Sequence, residues 1–126
     1  MPENFLGLFD GETDTVTLEP GQTLFEKGEA GRHMYVVKSG ELQILVGNHS
    51  FESVPAGGLV GEMALISELP RSAAARAVTR SVVIPVDQKR FTILVQQAPF
   101  FAIRVMRVMS DRLKAMNERV TSLPDE

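Results

Sequence analysis

The sequence contains no cysteine and no tryptophan, and it has only two histidines among 126 residues. The absence of cysteine excludes disulfide frameworks, zinc ribbons, iron–sulfur clusters and thiol catalysis. No apolar run approaches the ~18 residues that are needed to span a bilayer. The N-terminal segment lacks the basic start and the apolar stretch of a signal peptide. We therefore expect a soluble protein in the cytoplasm that has no membrane partner.

Composition and charge limit the domain count and the partners. With 44% apolar residues and no long linker, residues 1–126 are expected to form a single domain with a real core. The net charge is −3, but residues 1–70 hold three Lys or Arg against eleven Asp or Glu, whereas residues 71–126 hold ten against five. The acidic balance argues against nucleic-acid binding, and the local basic excess suits a small anion or an acidic partner.

The middle of the chain has the pattern of short strands. Eight of the ten glycines lie between positions 21 and 61 and punctuate apolar runs such as Tyr35–Val37 and Leu42–Val46. Gly47-Asn48 has the form of a two-residue type II′ hairpin loop. Further strands are expected near Phe51–Val54, over Ala73–Val78 and over Ser81–Val86. Many short strands with close turns predict an antiparallel β-roll of jelly-roll type over about residues 14–87.

Helices are expected at both ends of the roll. The apolar cluster near the N-terminus predicts a short helix over about residues 3–9. From residue 88 to about 120 the period changes, with one helix over Arg90–Gln97 and a second that Pro99 starts as a first-turn residue. The second helix carries a heptad seam, and its first two turns add a second apolar face. The seam is Ala102, Met106, Met109, Leu113, Met116 and Val120, and the second face is Phe101, Val105 and Val108.

This seam has two alternative uses. Beyond Asp111 the second face becomes Arg112, Ala115 and Arg119, so that only the seam stays apolar. A single apolar seam is commonly buried in a coiled-coil contact, which predicts a parallel homodimer through residues 101–120. The alternative is a monomer in which this helix folds over a bound ligand.

One segment has the chemistry of a ligand site. A glycine-rich approach leads into Glu62–Ser67, which is expected to form one short helical turn, and such turns present backbone N–H groups that suit a phosphate. Pro70 is expected to stop the turn. Arg71 then begins a run of small residues and can bond two phosphate oxygens, with the Ser72 hydroxyl as a further donor. Glu62 is an acceptor suited to a sugar hydroxyl.

The segment resembles the phosphate-binding cassette of the cyclic nucleotide-binding domain family, which includes catabolite-activator-type regulators and protein kinase A regulatory subunits. The matching residues are Gly61-Glu62-Met63-Ala64-Leu65 and Pro70-Arg71-Ser72-Ala73. A second match runs from Gly21 to Leu42 through Leu24-Phe25, Gly28-Glu29, Gly31, Met34-Tyr35-Val36-Val37 and Gly40. Val60 departs from the family, where Phe is common, and the resemblance covers about residues 5–120.

The resemblance implies a role for each matching position. Glu62 is expected to accept a bond from the ribose 2′-hydroxyl, and Arg71 is expected to pair with the cyclic phosphate. Phosphate and ribose would be lined by Gly61, Met63, Ala64, Ser72 and Ala73. The base would lie against Ile44, Phe51 and Val54, under a lid formed by Met116 and Asn117. At position 72 a Thr often accompanies cGMP preference and an Ala cAMP preference, and Ser is compatible with either.

The leading hypothesis is a cyclic nucleotide-binding module, with cAMP favoured over cGMP, that signals to an unknown protein effector through movement of its C-terminal helices. We expect no enzyme activity, no metal and no cofactor, and no helix-turn-helix, kinase or channel segment. Two alternatives are a structural or dimerisation module of the same fold that binds no nucleotide, and a jelly-roll metal enzyme. The second is disfavoured because His33 and His49 are too few for a jelly-roll metal site.

Overall fold

The computed structural model describes residues 4–9 and 11–122, with side chains in the last helix described as far as residue 118. A 3-10 turn (Leu6–Phe9) is followed, in the described residues, by eight strands and three α-helices. The strands are β1 (Val16–Leu18), β2 (Thr23–Phe25), β3 (His33–Ser39), β4 (Glu41–Val46), β5 (His49–Pro55), β6 (Leu59–Val60), β7 (Ala74–Ala77) and β8 (Ser81–Asp87). The helices are α1 (Glu62–Ser67), α2 (Gln88–Gln97) and α3 (Phe100–Ser122).

The strands form two four-stranded sheets in which every pairing is antiparallel. One sheet has the order β1-β8-β3-β6 and the other β2-β7-β4-β5. Two stacked antiparallel sheets with crossing connections are the arrangement of a jelly roll. The predicted β-roll is therefore confirmed.

The chain changes sheet at Gly40, between β3 and β4. Gly40 has a φ of +89°, and a Cβ placed there would lie 2.3 Å from the Ser81 hydroxyl oxygen. That buried hydroxyl accepts a hydrogen bond from the Glu41 backbone N–H at 3.1 Å and donates to the Thr79 carbonyl at 2.9 Å. Only glycine combines this backbone conformation with so close a neighbour.

The hairpin between β4 and β5 has the predicted two-residue loop. Val46 pairs with His49, and Gly47 adopts a φ of +64°. Inside the roll, the two sheets bury one apolar cluster, against which Leu24, Tyr35 and Ile44 pack while remaining partly exposed. The cluster consists of Leu18, Phe25, Val37, Leu42, Val54, Val60, Ala75, Ala77 and Val83.

The N-terminal segment is a single 3-10 turn over Leu6–Phe9, shorter than the predicted helix; residues 1–3 lie outside the described part. The Phe5 backbone N–H donates to the Gly57 carbonyl at 2.8 Å, and the Phe5 side chain is fully buried. Helix α2 begins at Gln88, where the helical zone is predicted to begin and two residues before the Arg90–Gln97 stretch. Asp87 is the reason, because its carboxylate accepts the Arg90 backbone N–H at 2.8 Å and caps the helix.

The chain divides into two compact units, Met1–Phe91 and Thr92–Glu126. In the second unit α3 begins at Phe100, directly after Pro99, and Phe101 and Val105 are buried. The seam residues Met106 and Leu113 are 55% and 62% exposed. The side chains of Arg119 and Val120, predicted to continue the two faces, lie outside the described residues. Within the described part of the chain, no helix has the length and apolar character needed to cross a membrane.

Candidate functional site

The turn from β6 into α1 passes through Gly61. Its φ of +81° is left-handed, and a Cβ placed there would lie 2.6 Å from the Arg71 Nη1 atom. Position 61 therefore requires glycine for two reasons, the backbone conformation and the approach of the guanidinium. Helix α1 begins at the next residue, Glu62, and runs to Ser67 as the sequence predicted.

The six-residue helix α1 buries Glu62 and Ala64 at 4% exposure each, while Met63 is 44% exposed. The helix ends because Glu68 adopts a left-handed conformation (φ +58°), and its N–H bonds to the Ala64 carbonyl at 3.1 Å. The helix ends at Ser67 as predicted, but the residue that ends it is Glu68 and not Pro70. This left-handed cap satisfies a carbonyl of the last turn before the proline is reached.

The backbone of Arg71 is held by the loop between β2 and β3. The Arg71 N–H donates to the Glu29 carbonyl, and the Gly28 N–H donates to the Arg71 carbonyl, both at 2.8 Å. These two bonds join the upstream segment to the segment that follows α1, which are more than 40 positions apart in the sequence. The two stretches that carry the family resemblance therefore meet at Arg71.

The side chain of Arg71 is enclosed on several sides. Arg71 is 5% exposed, and its Nη1 donates to the Gly61 carbonyl at 3.1 Å. The guanidinium carbon lies 4.1 Å from the centre of the Phe25 ring and 5.9 Å from that of Tyr35. On a further side, a Cβ placed on Gly31 would lie 2.2 Å from the Arg71 Nε atom. The guanidinium is thus fixed by two rings and two glycines.

The positive charge of Arg71 is buried. No carboxylate in the described part of the chain forms an ion pair with it, and its buried Nε has no hydrogen-bond partner. Burial lowers the pKa of Arg71 from its ordinary value, and Tyr35, Glu29 and Glu62 act in the opposite direction. A guanidinium still remains charged at neutral pH. A buried cation without a paired anion is costly, so the arrangement favours an anionic ligand.

The other predicted ligand contacts lie at different depths. Ser72 is exposed and Ala73 half-buried in the bend between Arg71 and β7. Of the predicted base contacts, Ile44 and Phe51 are half-buried, whereas Val54 is 2% exposed within the core cluster. Their contact with a base stays a prediction.

The predicted lid residues Met116 and Asn117 lie on α3, in the second unit, and both are exposed. A cleft of about 710 Å³ lies in the first unit, and neither Arg71 nor Glu62 lines it. Among its lining residues are Gly31, Ala64, Leu69 and Lys89. Within the described residues, no group of three or more His, Asp or Glu is arranged to hold a metal ion.

Three residues at the site were not assigned a role from the sequence. Phe25, Gly31 and Tyr35 all surround the Arg71 guanidinium, yet the sequence supplied them only as parts of the upstream pattern. The sequence signal that could have identified them is Gly31, a glycine without an obvious turn role. Phe25 lies six positions before it and Tyr35 four positions after it.

The family model described as "Cyclic nucleotide-binding domain" matches residues 15–98. This range includes both motif stretches, the eight strands described above and helices α1 and α2. The chain belongs to this family. The predicted family membership is thereby confirmed.

Known members of the cyclic nucleotide-binding domain family resemble the chain over parts of their length. A cAMP-dependent protein kinase regulatory subunit of Mucor circinelloides is 37% identical over 68 residues, 54% of this chain and 16% of that protein. A cGMP-dependent protein kinase of Toxoplasma gondii is 31% identical over 71 residues, 56% of this chain and 7% of that protein. This chain thus matches only a small part of each of these two proteins.

The fold also matches a solved structure. The Thermus thermophilus catabolite activator protein superposes with a TM-score of 0.75 at 23% identity, over 85% of this chain and 53% of that one. At this identity the likeness supports the fold alone. It agrees with the eight-stranded roll described above and confirms the predicted fold class.

Proposed function

We propose that this chain binds a 3′,5′-cyclic purine nucleotide and that Arg71 pairs with the cyclic phosphate. One observation carries this assignment: Arg71 is 5% exposed and forms no ion pair with a carboxylate in the described residues. A singly charged phosphate would supply both a counter-charge and acceptor oxygens. Family membership supplies the class of ligand, and the buried charge supplies the residue that recognises it.

In this proposal Glu62 accepts a hydrogen bond from the ribose 2′-hydroxyl. Its burial and its electrostatic effect on Arg71 support a position close to the phosphate contact. Gly61, Met63, Ala64, Ser72 and Ala73 line the phosphate and ribose. The base lies near Ile44, Phe51 and Val54, and Met116 and Asn117 cover it.

We favour cAMP over cGMP as the ligand. The relative with the higher identity of the two described above is named for cAMP, at 37% against 31% for the relative named for cGMP. Ser72 is exposed, and a serine at this position is compatible with either nucleotide. We therefore expect the chain to bind cAMP more tightly than cGMP, with cGMP as the competing ligand.

The proposed role is regulatory and involves no catalysis. Nucleotide binding moves the helices that follow residue 88 and so signals to a protein effector in the cytoplasm. The exposed seam of α3, with Met106 and Leu113 at 55% and 62% exposure, supports a parallel homodimer through residues 101–120. A monomer whose α3 covers the nucleotide is the alternative.

Calorimetry with cAMP, cGMP, 5′-AMP and adenosine tests the proposal. We expect one site per chain, tightest for cAMP, weaker for cGMP, and much weaker for the two compounds that lack a cyclic phosphate. If the folded protein binds neither cyclic nucleotide, the proposal fails and a structural module of the same fold remains. Equal binding of 5′-AMP and cAMP would contradict recognition of the cyclic phosphate.

A further inference from the structure

We infer that Phe25 and Tyr35 form an aromatic platform that positions the Arg71 guanidinium and thereby contributes to affinity for the nucleotide phosphate. This inference rests on the proposed function, since it assumes that Arg71 receives the phosphate. Neither ring is assigned a contact with the nucleotide. Both are positioning residues that act through Arg71.

The geometry fits a cation over two rings. A guanidinium is attracted to an aromatic face within ~6 Å of the ring centre. The Arg71 guanidinium carbon lies 4.1 Å from the Phe25 centre and 5.9 Å from the Tyr35 centre. The two rings are themselves stacked, with centroids 6.3 Å apart and an interplanar angle of 27°. Phe25 is therefore the main contact, and Tyr35 supports it.

The position of the platform in the fold makes it rigid. Phe25 belongs to the buried core cluster at 8% exposure, and Tyr35 packs against the same cluster. They lie at the end of β2 and within β3, in different sheets of the roll. The rings are thus held by both sheets, and the guanidinium that rests on them inherits this fixed position.

Aromatic rings suit this role better than a carboxylate. A carboxylate beside Arg71 would neutralise it and would compete with a phosphate for the same donors. A ring attracts the cation through its quadrupole but carries no net charge, so the full positive charge remains for an anion. The lack of an ion pair at Arg71 within the described residues agrees with this arrangement.

The platform is expected to act mainly through preorganisation. The ring contacts are present in the structure and we expect them to persist in the nucleotide complex, so that most of their attraction cancels in the binding equilibrium. What remains is the entropy of fixing a long, flexible side chain before the ligand arrives. We therefore expect loss of the Phe25 ring to weaken cAMP binding about three- to tenfold, and loss of the Tyr35 ring to weaken it less.

A double-mutant cycle with Phe25→Leu and Arg71→Met tests the inference. Calorimetry measures the affinity for cAMP. For variants that bind weakly, cAMP at up to millimolar concentrations displaces a fluorescent cyclic nucleotide. Phe25→Leu should weaken binding in the wild-type background and have no effect in the Arg71→Met background. An equal loss in both backgrounds would assign Phe25 a merely structural role and overturn the inference. So would no loss in the wild-type background.

The second ring provides a matched pair that does not depend on Phe25→Leu folding. Tyr35→Phe keeps the ring and should bind like wild type, whereas Tyr35→Leu should bind more weakly. Equal affinity of these two variants would also contradict the platform. Failure of the proposed function has a different signature, because in that case folded Arg71→Met would bind cAMP as tightly as wild type.

Discussion

Gly31 and Arg71 are in such close contact that no other residue fits at position 31 without displacing the guanidinium. An ideal Cβ on Gly31 would lie 2.2 Å from Nε, 2.4 Å from Cζ and 2.6 Å from Nη2 of Arg71. Real Cβ atoms do not approach other heavy atoms below about 3.0 Å, so one of the two residues must move. Gly31 has an ordinary backbone conformation, and its requirement is therefore one of space alone.

Substitution of Gly31 by alanine should weaken cAMP binding about tenfold. The added methyl pushes the guanidinium off its position and costs the order of one charge-assisted hydrogen bond, ~1.5 kcal/mol. Calorimetry measures the change, and Gly7→Ala is the matched control because a Cβ on Gly7 meets nothing within 4 Å. Wild-type affinity in Gly31→Ala would mean that the position of Arg71 does not matter for binding.

The role of Glu62 is separable from that of the phosphate contact. Glu62→Gln should weaken cAMP binding about tenfold but should change the affinity for 2′-deoxy-cAMP little, because the hydroxyl that Glu62 reads is absent from that ligand. Glu68→Gln, an exposed carboxylate just beyond α1, is the control. If the losses for the two ligands were equal, Glu62 would support the loop and would not contact the ribose.

Glu12 and Arg90 should make stability depend on pH. The two side chains are paired, and the hydrogen bond from Arg90 is the main cause that lowers the pKa of Glu12. A carboxyl group whose pKa is lower in the folded state stabilises the fold above its unfolded pKa of ~4.3 and loses that contribution as the pH falls through its folded pKa.

Urea unfolding of wild type and Glu12→Gln between pH 7 and pH 3 tests this pairing. The difference in unfolding free energy should be full at pH 6–7 and should shrink as the pH falls below the unfolded pKa of ~4.3. Glu19→Gln is the control, because the Glu19–Arg80 pair is exposed on both sides and exposed pairs contribute little. A difference that is constant over this range would contradict the pairing.

The seam of α3 predicts an association that one charge would abolish. Leu113 is 62% exposed, and Leu113→Glu would place two carboxylates at the interface of a parallel homodimer. Light scattering with and without cAMP should give a dimer for wild type and a monomer for Leu113→Glu. Lys114→Glu, on another face of the helix, should leave the dimer intact. A wild-type protein that stays monomeric at high concentration would contradict the predicted dimer.

The elements that the sequence predicted well have local signals. The Gly47-Asn48 loop is confirmed because positive φ at a hairpin favours glycine, and α1 was predicted from residue 62 to residue 67 because of the preceding glycine. The residue that ends α1 was not predicted, since the left-handed conformation of Glu68 is one that few sequences reveal. The start of α2 at residue 88 agrees with the predicted change of period, and Asp87 is a residue type that favours the cap position before a helix.

The site was predictable only in part, for a physical reason. Glu62 and Arg71 stand in one short segment, so their place in a common ligand site could be proposed from the sequence. The approach of Gly31, Phe25 and Tyr35 to Arg71 arises from the register of strands in two sheets and from the backbone bonds of Arg71 to Gly28 and Glu29. Such long-range contacts have no local signal in a single sequence.

The most direct test of the account compares cAMP binding by Arg71→Met and Arg76→Met. Arg76 is an exposed arginine five positions further on, in β7, and serves as the matched control. Calorimetry should show that Arg71→Met binds cAMP at least ten- to a hundredfold more weakly than wild type. Its free energy of unfolding, measured in urea, should be no lower than that of wild type, because a buried unpaired charge has been removed. Arg76→Met should bind like wild type. A folded Arg71→Met that binds cAMP with wild-type affinity would contradict the account.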